Sequence, residues 1–257
     1  MKVQQICDWL NAFAPFDSAE AFDNVGLLMG SPDAEVHTVL FGMDITEALA
    51  MEAVDLGAEL IISHHPFIFH ALKRIDYTGP QGRTMQLLMK NNINVIAAHT
   101  NYDKAPGGIS DALAKVLGLQ DIENADDYVR VGTLPYSMTA SQLGTHVREL
   151  LHIEPRCYPA SDEMITRAAV AGGAYGEGYE AAIAAGAQAF VVGEIAHHEI
   201  LDASARGLTI LDAGHYPTER PGVAALYGRF LADADGWSVK AYLHDKAPFT
   251  GTILALE

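Results

Sequence analysis

Leu60-Ile61-Ile62-Ser63-His64-His65-Pro66-Phe67 runs three apolar residues into two adjacent histidines and stops at a proline. A short apolar run bounded in this way reads as a buried strand, and proline cannot continue it. The histidines therefore stand at or just past a strand end, where α/β sheets collect ligands and catalytic groups. Successive side chains on a regular strand point to opposite faces. Both rings meet one site only if the chain turns there, which Pro66 favours. Neutral imidazole is the commonest protein ligand for transition metals. The pair reads as two metal ligands or as two ordinary loop histidines, and the rest of the chain decides between them.

Upstream, Val39-Leu40-Phe41-Gly42-Met43-Asp44 predicts a strand, Thr46 an N-cap, residues 47–56 a helix and Gly57 its C-cap. With the strand over 59–63 this forms a β-α-β unit, for which parallel strands and a right-handed crossover are expected. Downstream, a helix over 84–91 leads to a strand over 93–98, which delivers His99-Thr100-Asn101-Tyr102-Asp103 to its C-terminal end. Pro106-Gly107-Gly108 turns the chain, and Ser110 is placed to cap a helix through Leu117. Before this unit, apolar residues at helical spacing predict a helix over 3–13, and Asp23 to Leu28 reads as a surface turn followed by a short strand.

Residues 120–166 carry weaker patterns: a helix over 139–151 and a strand over 153–158, with His146 and His152 read as surface or half-buried residues. Beyond them come a strand over 168–173 with a glycine-rich end, a helix over 180–185 closed by Gly186, and a strand over 189–194. A helix begins at His197-His198-Glu199 and runs to about Arg206. The strand over 208–212 ends in Ala213-Gly214-His215-Tyr216-Pro217-Thr218-Glu219. A helix over 222–231, a strand over 236–243 and an edge strand over 251–256 complete the reading.

An internal repeat links the two halves. Residues 40–65 laid over 169–194, an offset of 129, place Gly57-Ala58 on Gly186-Ala187, Ile61-Ile62 on Phe190-Val191, and His64-His65 on Gly193-Glu194. At an offset of 116, His99 falls on His215 and Asp103 on Glu219, so both halves present a strand ending in His-x-x-x-carboxylate. The expected fold is α/β, with two similar α/β lobes from internal duplication and a dinuclear metal site in the cleft between them. The first lobe covers 1–125 and the second 126–257, with the connecting segment 120–166 partly shared.

His64, His65 and Asp103 from the first lobe and His215 and Glu219 from the second give three imidazoles and two carboxylates. That is too many for one tetrahedral ion with an open position and suits two ions bridged by carboxylate and water. A nitrogen and oxygen donor set without sulfur suits zinc, iron, manganese, cobalt or nickel. Each residue also has a plainer reading: Thr218 as the cap of a helix at His215, and Asp103 as the cap of the Pro106 turn. All five failing at paired strand ends is the less economical reading. His99 reads as a ligand or as a group supporting one, and Glu194 as a supporting acceptor or a base.

Composition narrows the function. The chain has 257 residues and a net charge of −17, which repels a phosphate backbone and disfavours nucleic acid as a partner. Its two cysteines, Cys7 and Cys157, lie far apart, against a disulfide framework, a thiolate zinc site or an iron–sulfur cluster. The N-terminus lacks a signal-peptide core, and no apolar run reaches the roughly 18 residues of a membrane span. The expectation is a soluble, cytoplasmic protein without a membrane partner.

Asp23-Asn24-Val25-Gly26-Leu27, Gly42-Met43-Asp44, Ser63-His64-His65-Pro66, Ala98-His99-Thr100-Asn101-Tyr102-Asp103, Gly193-Glu194 and Gly214-His215-Tyr216-Pro217-Thr218-Glu219 stand in an order and spacing that resembles the NIF-three-like family, also known as GTP cyclohydrolase one, type two homologues. The resemblance implies a two-lobed α/β fold, a dinuclear metal site on the same five residues, and a homo-oligomer in the form of a toroidal hexamer. It implies a metal-dependent hydrolase that opens the guanine imidazole ring of a nucleotide with release of formate. Two readings stand beside it: a metal-binding scaffold without turnover and a metal-dependent phosphoesterase. Lys73, Arg74, Arg83 and Arg220 are candidates to hold the phosphates of a small-molecule substrate.

Overall fold

The computed structural model describes residues 1–248, so the edge strand expected over 251–256 lies outside the described residues. The chain groups into two compact units. Among the described residues the first holds Met1–Ala12, Ala21–His99 and residues 230–248; the second holds Phe13–Glu20 and Thr100–Arg229. The expected lobe boundary, near 125, follows the duplication along the sequence. In space the C-terminal stretch joins the first unit, because its last described strand pairs there.

The first unit is built on a five-stranded sheet. Helix α1 (Val3–Asn11) precedes strand β1 (Gly26–Met29); then follow β2 (Thr38–Gly42), α2 (Glu47–Leu56), β3 (Leu60–Ser63), α3 (Pro80–Lys90) and β4 (Asn94–Ala97). The C-terminal strand β11 (Lys240–Leu243) lies beside β2, giving the order β1-β4-β3-β2-β11. β2, β3, β4 and β11 are parallel and β1 runs against them. The expected β-α-β unit is present with its punctuation: Thr46 accepts the Leu49 N–H at 3.1 Å and Gly57 takes φ 63°. α3 starts four residues earlier than the periodicity predicts, because Pro80 supplies a ready-made first helical turn.

Both faces of this sheet are covered, as a parallel sheet requires. Leu40, Ile61 and Val95 pack against Leu49 and Ala53 of α2 and Leu88 of α3. Phe41 points the other way, its ring 5.2 Å from Phe230, which in turn meets Trp9 of α1 edge-on at 5.2 Å.

The second unit holds β5 (Gln120–Asn124), β6 (Arg130–Met138), α6 (Ala140–Leu151), β7 (Arg156–Tyr158), β8 (Ile165–Ala174), α7 (Tyr179–Ala184), β9 (Ala189–Glu194), α8 (His197–Ala205) and β10 (Thr209–Asp212). Short α4 (Thr100–Lys104) and α5 (Ile109–Val116) precede them, and α9 (His215–Asp233) follows. Its sheet has the order β5-β6-β8-β9-β10-β7, with β8, β9 and β10 parallel. Val170, Val191 and Leu211 face α5 and α6, whereas Ala171, Phe190, Val192 and Ile210 face α7 and α8.

Two strands are found that the pattern does not predict, and two expectations are corrected. β5 and β6 were illegible because β5 is largely exposed and β6 carries Pro135 and a register break. Ser110 does not cap α5; that place falls to Gly108, where a Cβ would meet Tyr102 O at 1.9 Å, and the Ser110 hydroxyl accepts the Gly172 N–H instead. α9 starts at His215 rather than 222, since Pro217 sits in its first turn, where its missing N–H costs nothing.

The repeat is more extensive than its letters. α1-β1-β2-α2-β3-α3-β4 corresponds to α6-β7-β8-α7-β9-α8-β10, including the antiparallel strand beside the last parallel one in each sheet. Among the described residues no helix is long and apolar enough to cross a membrane.

Candidate metal centre

Strand register places the first group of donors. β2 and β3 pair with Gly42 beside Ser63, and the ladder continues past the strand ends as His65 N–H donates to Met43 O at 3.0 Å. Two residues beyond Gly42 and Ser63, Asp44 therefore stands beside His65. β3 and β4 pair with Ser63 beside Ala97, which sets His64 next to Ala98 and His65 next to His99. β1 runs antiparallel to β4 with Gly26 beside Ala97, so the residues before Gly26 return to those after Ala97. Asp23 reaches His99 by that route.

The contacts follow. His64 Nδ1 donates to Ala98 O at 2.8 Å, His65 Nδ1 to Asp44 Oδ1 at 2.7 Å, and His99 Nδ1 to Asp23 Oδ1 at 2.9 Å. Each of these oxygens accepts only, so each neutral ring carries its proton on Nδ1 and keeps the Nε2 lone pair for a ligand. The three rings are neighbours, with centroids 5.1 to 5.6 Å apart, and each offers a nitrogen within 4.8 Å of the others. His64 is buried and the other two are half-buried. Three neutral imidazoles, each oriented from behind, fit a divalent transition ion.

The second unit supplies another imidazole and a carboxylate. β9 and β10 pair with Val192 beside Asp212, so Glu194 comes level with the start of α9. His215 Nδ1 donates to Glu194 Oε1 at 3.0 Å, and its Nε2 lies 3.2 Å from Glu219 Oε2 one helical turn on. Glu219 is buried. Room for this pair depends on Gly173 at φ 64°, where a Cβ would come 2.2 Å from Glu219 Oε1 and 3.4 Å from His215 Nε2. The Gly173 N–H is fixed by the Thr218 hydroxyl at 3.1 Å, and that hydroxyl lies 2.9 Å from Gly214 O.

His64 and His65 are thus brought together, joined by His99; His215 and Glu219 form their own pair, oriented by Glu194. Asp103 lies half-buried on α4 and belongs to no group of three or more donors within 4.8 Å among the described residues. Its charge is felt nearby: burial first, with Asp103 and Asp111 behind it, pushes the Tyr102 hydroxyl pKa up, against the opposing charge of Arg229. Two residues were missed as site residues. Asp23, read as part of a surface turn, has a fully buried side chain, and Asp44 was read only as a strand end. The signal for Asp44 was the parallel register, which sets equal overhangs side by side; Asp23 needed the antiparallel pairing of β1. His197 and His198 open α8, as the plainer reading had it.

Comparison with known proteins identifies the family and the fold. The family model described as Duf34/NIF3 (NGG1p interacting factor 3) matches residues 1–248. A Clostridium perfringens protein named GTP cyclohydrolase 1 type 2 homolog is 32% identical over 230 residues, covering 86% of this chain and 88% of its own. A Streptomyces coelicolor protein of the same name is 32% identical over 260 residues, covering 94% and 90%. A solved structure of a Staphylococcus aureus hypothetical protein superposes with a TM-score of 0.92 at 28% identity, covering 98% of this chain and 99% of its own. The Bacillus cereus protein related to NIF3 gives 0.93 at 23% identity over 98% and 99%, a likeness of fold. The chain belongs to the Duf34/NIF3 family.

Proposed function

We propose that His64, His65, Asp103, His215 and Glu219, together with His99, hold two divalent metal ions, and that the protein is a metal-dependent hydrolase acting on a purine nucleotide. The observation that carries this reading is the anchoring of four imidazoles at Nδ1, by Ala98 O, Asp44, Asp23 and Glu194. Such outer partners fix ring orientation and raise ligand basicity. When bound, divalent ions of this kind supply the acidity that makes water a nucleophile near neutral pH. The chain's own residues set tautomers, charge and space: Asp44, Asp23 and Glu194 hold protons at Nδ1, Glu219 and Asp103 bring negative charge, and Gly173 leaves room for Glu219.

The reaction is the hydrolytic opening of the guanine imidazole ring of GTP. One water adds at C8 and opens the ring; a second releases C8 as formate. Support for the substrate comes from relatives named GTP cyclohydrolase 1 type 2 homolog. The family resemblance adds a toroidal hexamer, to be checked by light scattering. Metal-loaded protein is expected to release one formate per GTP, and His65→Ala to lose both metal and formate release. Phosphate without formate would mark a phosphoesterase. Neither product from protein of full metal content would mark a scaffold.

A further inference from the structure

Within the β3–α3 connection, residues 66–79 carry an apolar and basic lip beside the histidine group. Phe69 is its centre: its ring lies edge-on to His99 at 6.2 Å, against Phe22 at 6.4 Å and against His70 at 4.8 Å. Phe22 is 66% exposed and Phe69 37%, and Leu72, Ile75 and Tyr77 are also exposed. The base of the loop is tied down. Asn24 Nδ2 donates to Ile68 O at 2.5 Å and Gln81 Nε2 to Phe67 O at 2.9 Å. At its far end, Gly82 packs so closely that a Cβ would meet Asp76 O at 1.9 Å.

Between these ties stand Lys73 and Arg74, both exposed. The chain has 33 acidic residues against 16 basic ones, and most of its cations are engaged: Lys2 with Asp33, Arg83 with Glu47, Lys104 with Glu20, Arg130 with Asp111. Among the described residues Lys73 and Arg74 make no ion pair. Two adjacent uncommitted cations in an acidic protein, on the same loop as Phe69, whose ring lies against His99, are complementary to a flat ring that carries anionic phosphates.

We infer that this lip is the substrate-positioning surface, a reading that rests on the hydrolase proposed above. Phe69 and Phe22 stack the heteroaromatic base, so that its ring carbon faces the His64–His65–His99 group. Lys73 and Arg74 hold the phosphate chain. Stacking on aromatic side chains tolerates any base, and the cations select for phosphorylated ligands.

The test is equilibrium binding of GTP and of guanosine to metal-loaded protein, followed by calorimetry across ionic strengths. The Lys73→Ala/Arg74→Ala double variant is expected to bind GTP about tenfold or more weakly, to bind guanosine as before, and to lose most of the salt dependence of GTP affinity. Phe69→Ala is expected to weaken both ligands roughly tenfold. Metal content, measured by elemental analysis, stays that of the parent protein in both, which separates a failure of the lip from a failure of the metal centre. Wild-type-like GTP binding by the double variant overturns the proposal, as does absence of GTP binding by the parent. A change of oligomeric state with GTP affinity intact would assign the surface to contact between copies of this chain and overturn it equally.

Discussion

The two repeats share a backbone and differ in what they hang on it. In the first, the end of β3 carries His64-His65; at the same place in the second, the end of β9 carries Gly193-Glu194. The first corner presents imidazoles with carboxylates behind them: Asp44 behind His65, Asp23 behind His99. In the second, the residue corresponding to His65 has itself become the carboxylate, Glu194, and stands behind His215. The residue corresponding to Asp44 is Gly173, because the space a side chain would need is filled by Glu219. Gly193 has no room for a ring either: a Cβ there would meet Gly173 O at 2.5 Å and Thr218 Oγ1 at 2.6 Å. A duplicated fold thus supplies two strand ends in register, and each has been specialised, one as a histidine cluster and one as a histidine–carboxylate pair.

Copying the first corner into the second is the harshest way to break the comparison. Gly193→His, or even Gly193→Ala, is expected to destabilise the protein by about 3 kcal/mol through overpacking against backbone. Thermal unfolding would show it, and an unaltered midpoint would mean the second corner is looser than described. Next comes metal removal. With free ion about a hundredfold above its Kd, chelation should cost about 2.7 kcal/mol, seen as a lower unfolding temperature. An unchanged temperature after verified removal would break the idea that these residues hold ions. Removing the outer acceptors is subtler. Asp44→Asn and Glu194→Gln should each weaken metal affinity about 10- to 100-fold, measured against a competing chelator. Equal losses would establish that the two corners are equivalent; a loss from Asp44→Asn alone would leave the second corner without that role.

The smallest effect concerns the other end of the sheets. Glu59 accepts the N–H groups of His37 and Thr38, at 3.0 and 2.8 Å. Its repeat partner Gln188 accepts those of Thr166 and Arg167, at 2.8 and 3.2 Å. One clamp is charged and the other neutral. Burial raises the pKa of Glu59, but the two N–H donors and His37 outweigh it and hold the carboxyl below its ordinary value. A carboxyl depressed on folding favours the folded state above its unfolded pKa, and that contribution is lost as pH falls through the lowered value. Because the side chain is 36% exposed, the effect is no more than about 1 kcal/mol. Glu59→Gln should keep the clamp, as Gln188 does, while flattening the acid limb of a stability-versus-pH curve. An acid limb identical to the parent's would show that Glu59 is not its source.

Much of this was legible in one dimension. Apolar runs, Thr46, Gly57 and Gly186 marked the strands and helices of both repeats, because caps and periodicity act within a turn or two of chain. The hairpin of β5 and β6 left no such trace, since its stability comes from pairing with β8 rather than from its own pattern. The same holds at the site. His64, His65, His215 and Glu219 were visible as donors at strand ends and a helix start, a property of residue type and position.

The sequence by itself determined the repeat, the parallel units and the donors that each strand end delivers. Tertiary structure decided the partners: that Asp23 lies behind His99, Asp44 behind His65 and Glu194 behind His215, and that Gly173 must stay bare. Those facts depend on strand register and on the direction in which β1 pairs, contacts between residues up to 76 positions apart. Local propensity carries no record of such distances; they are fixed only when the sheets assemble.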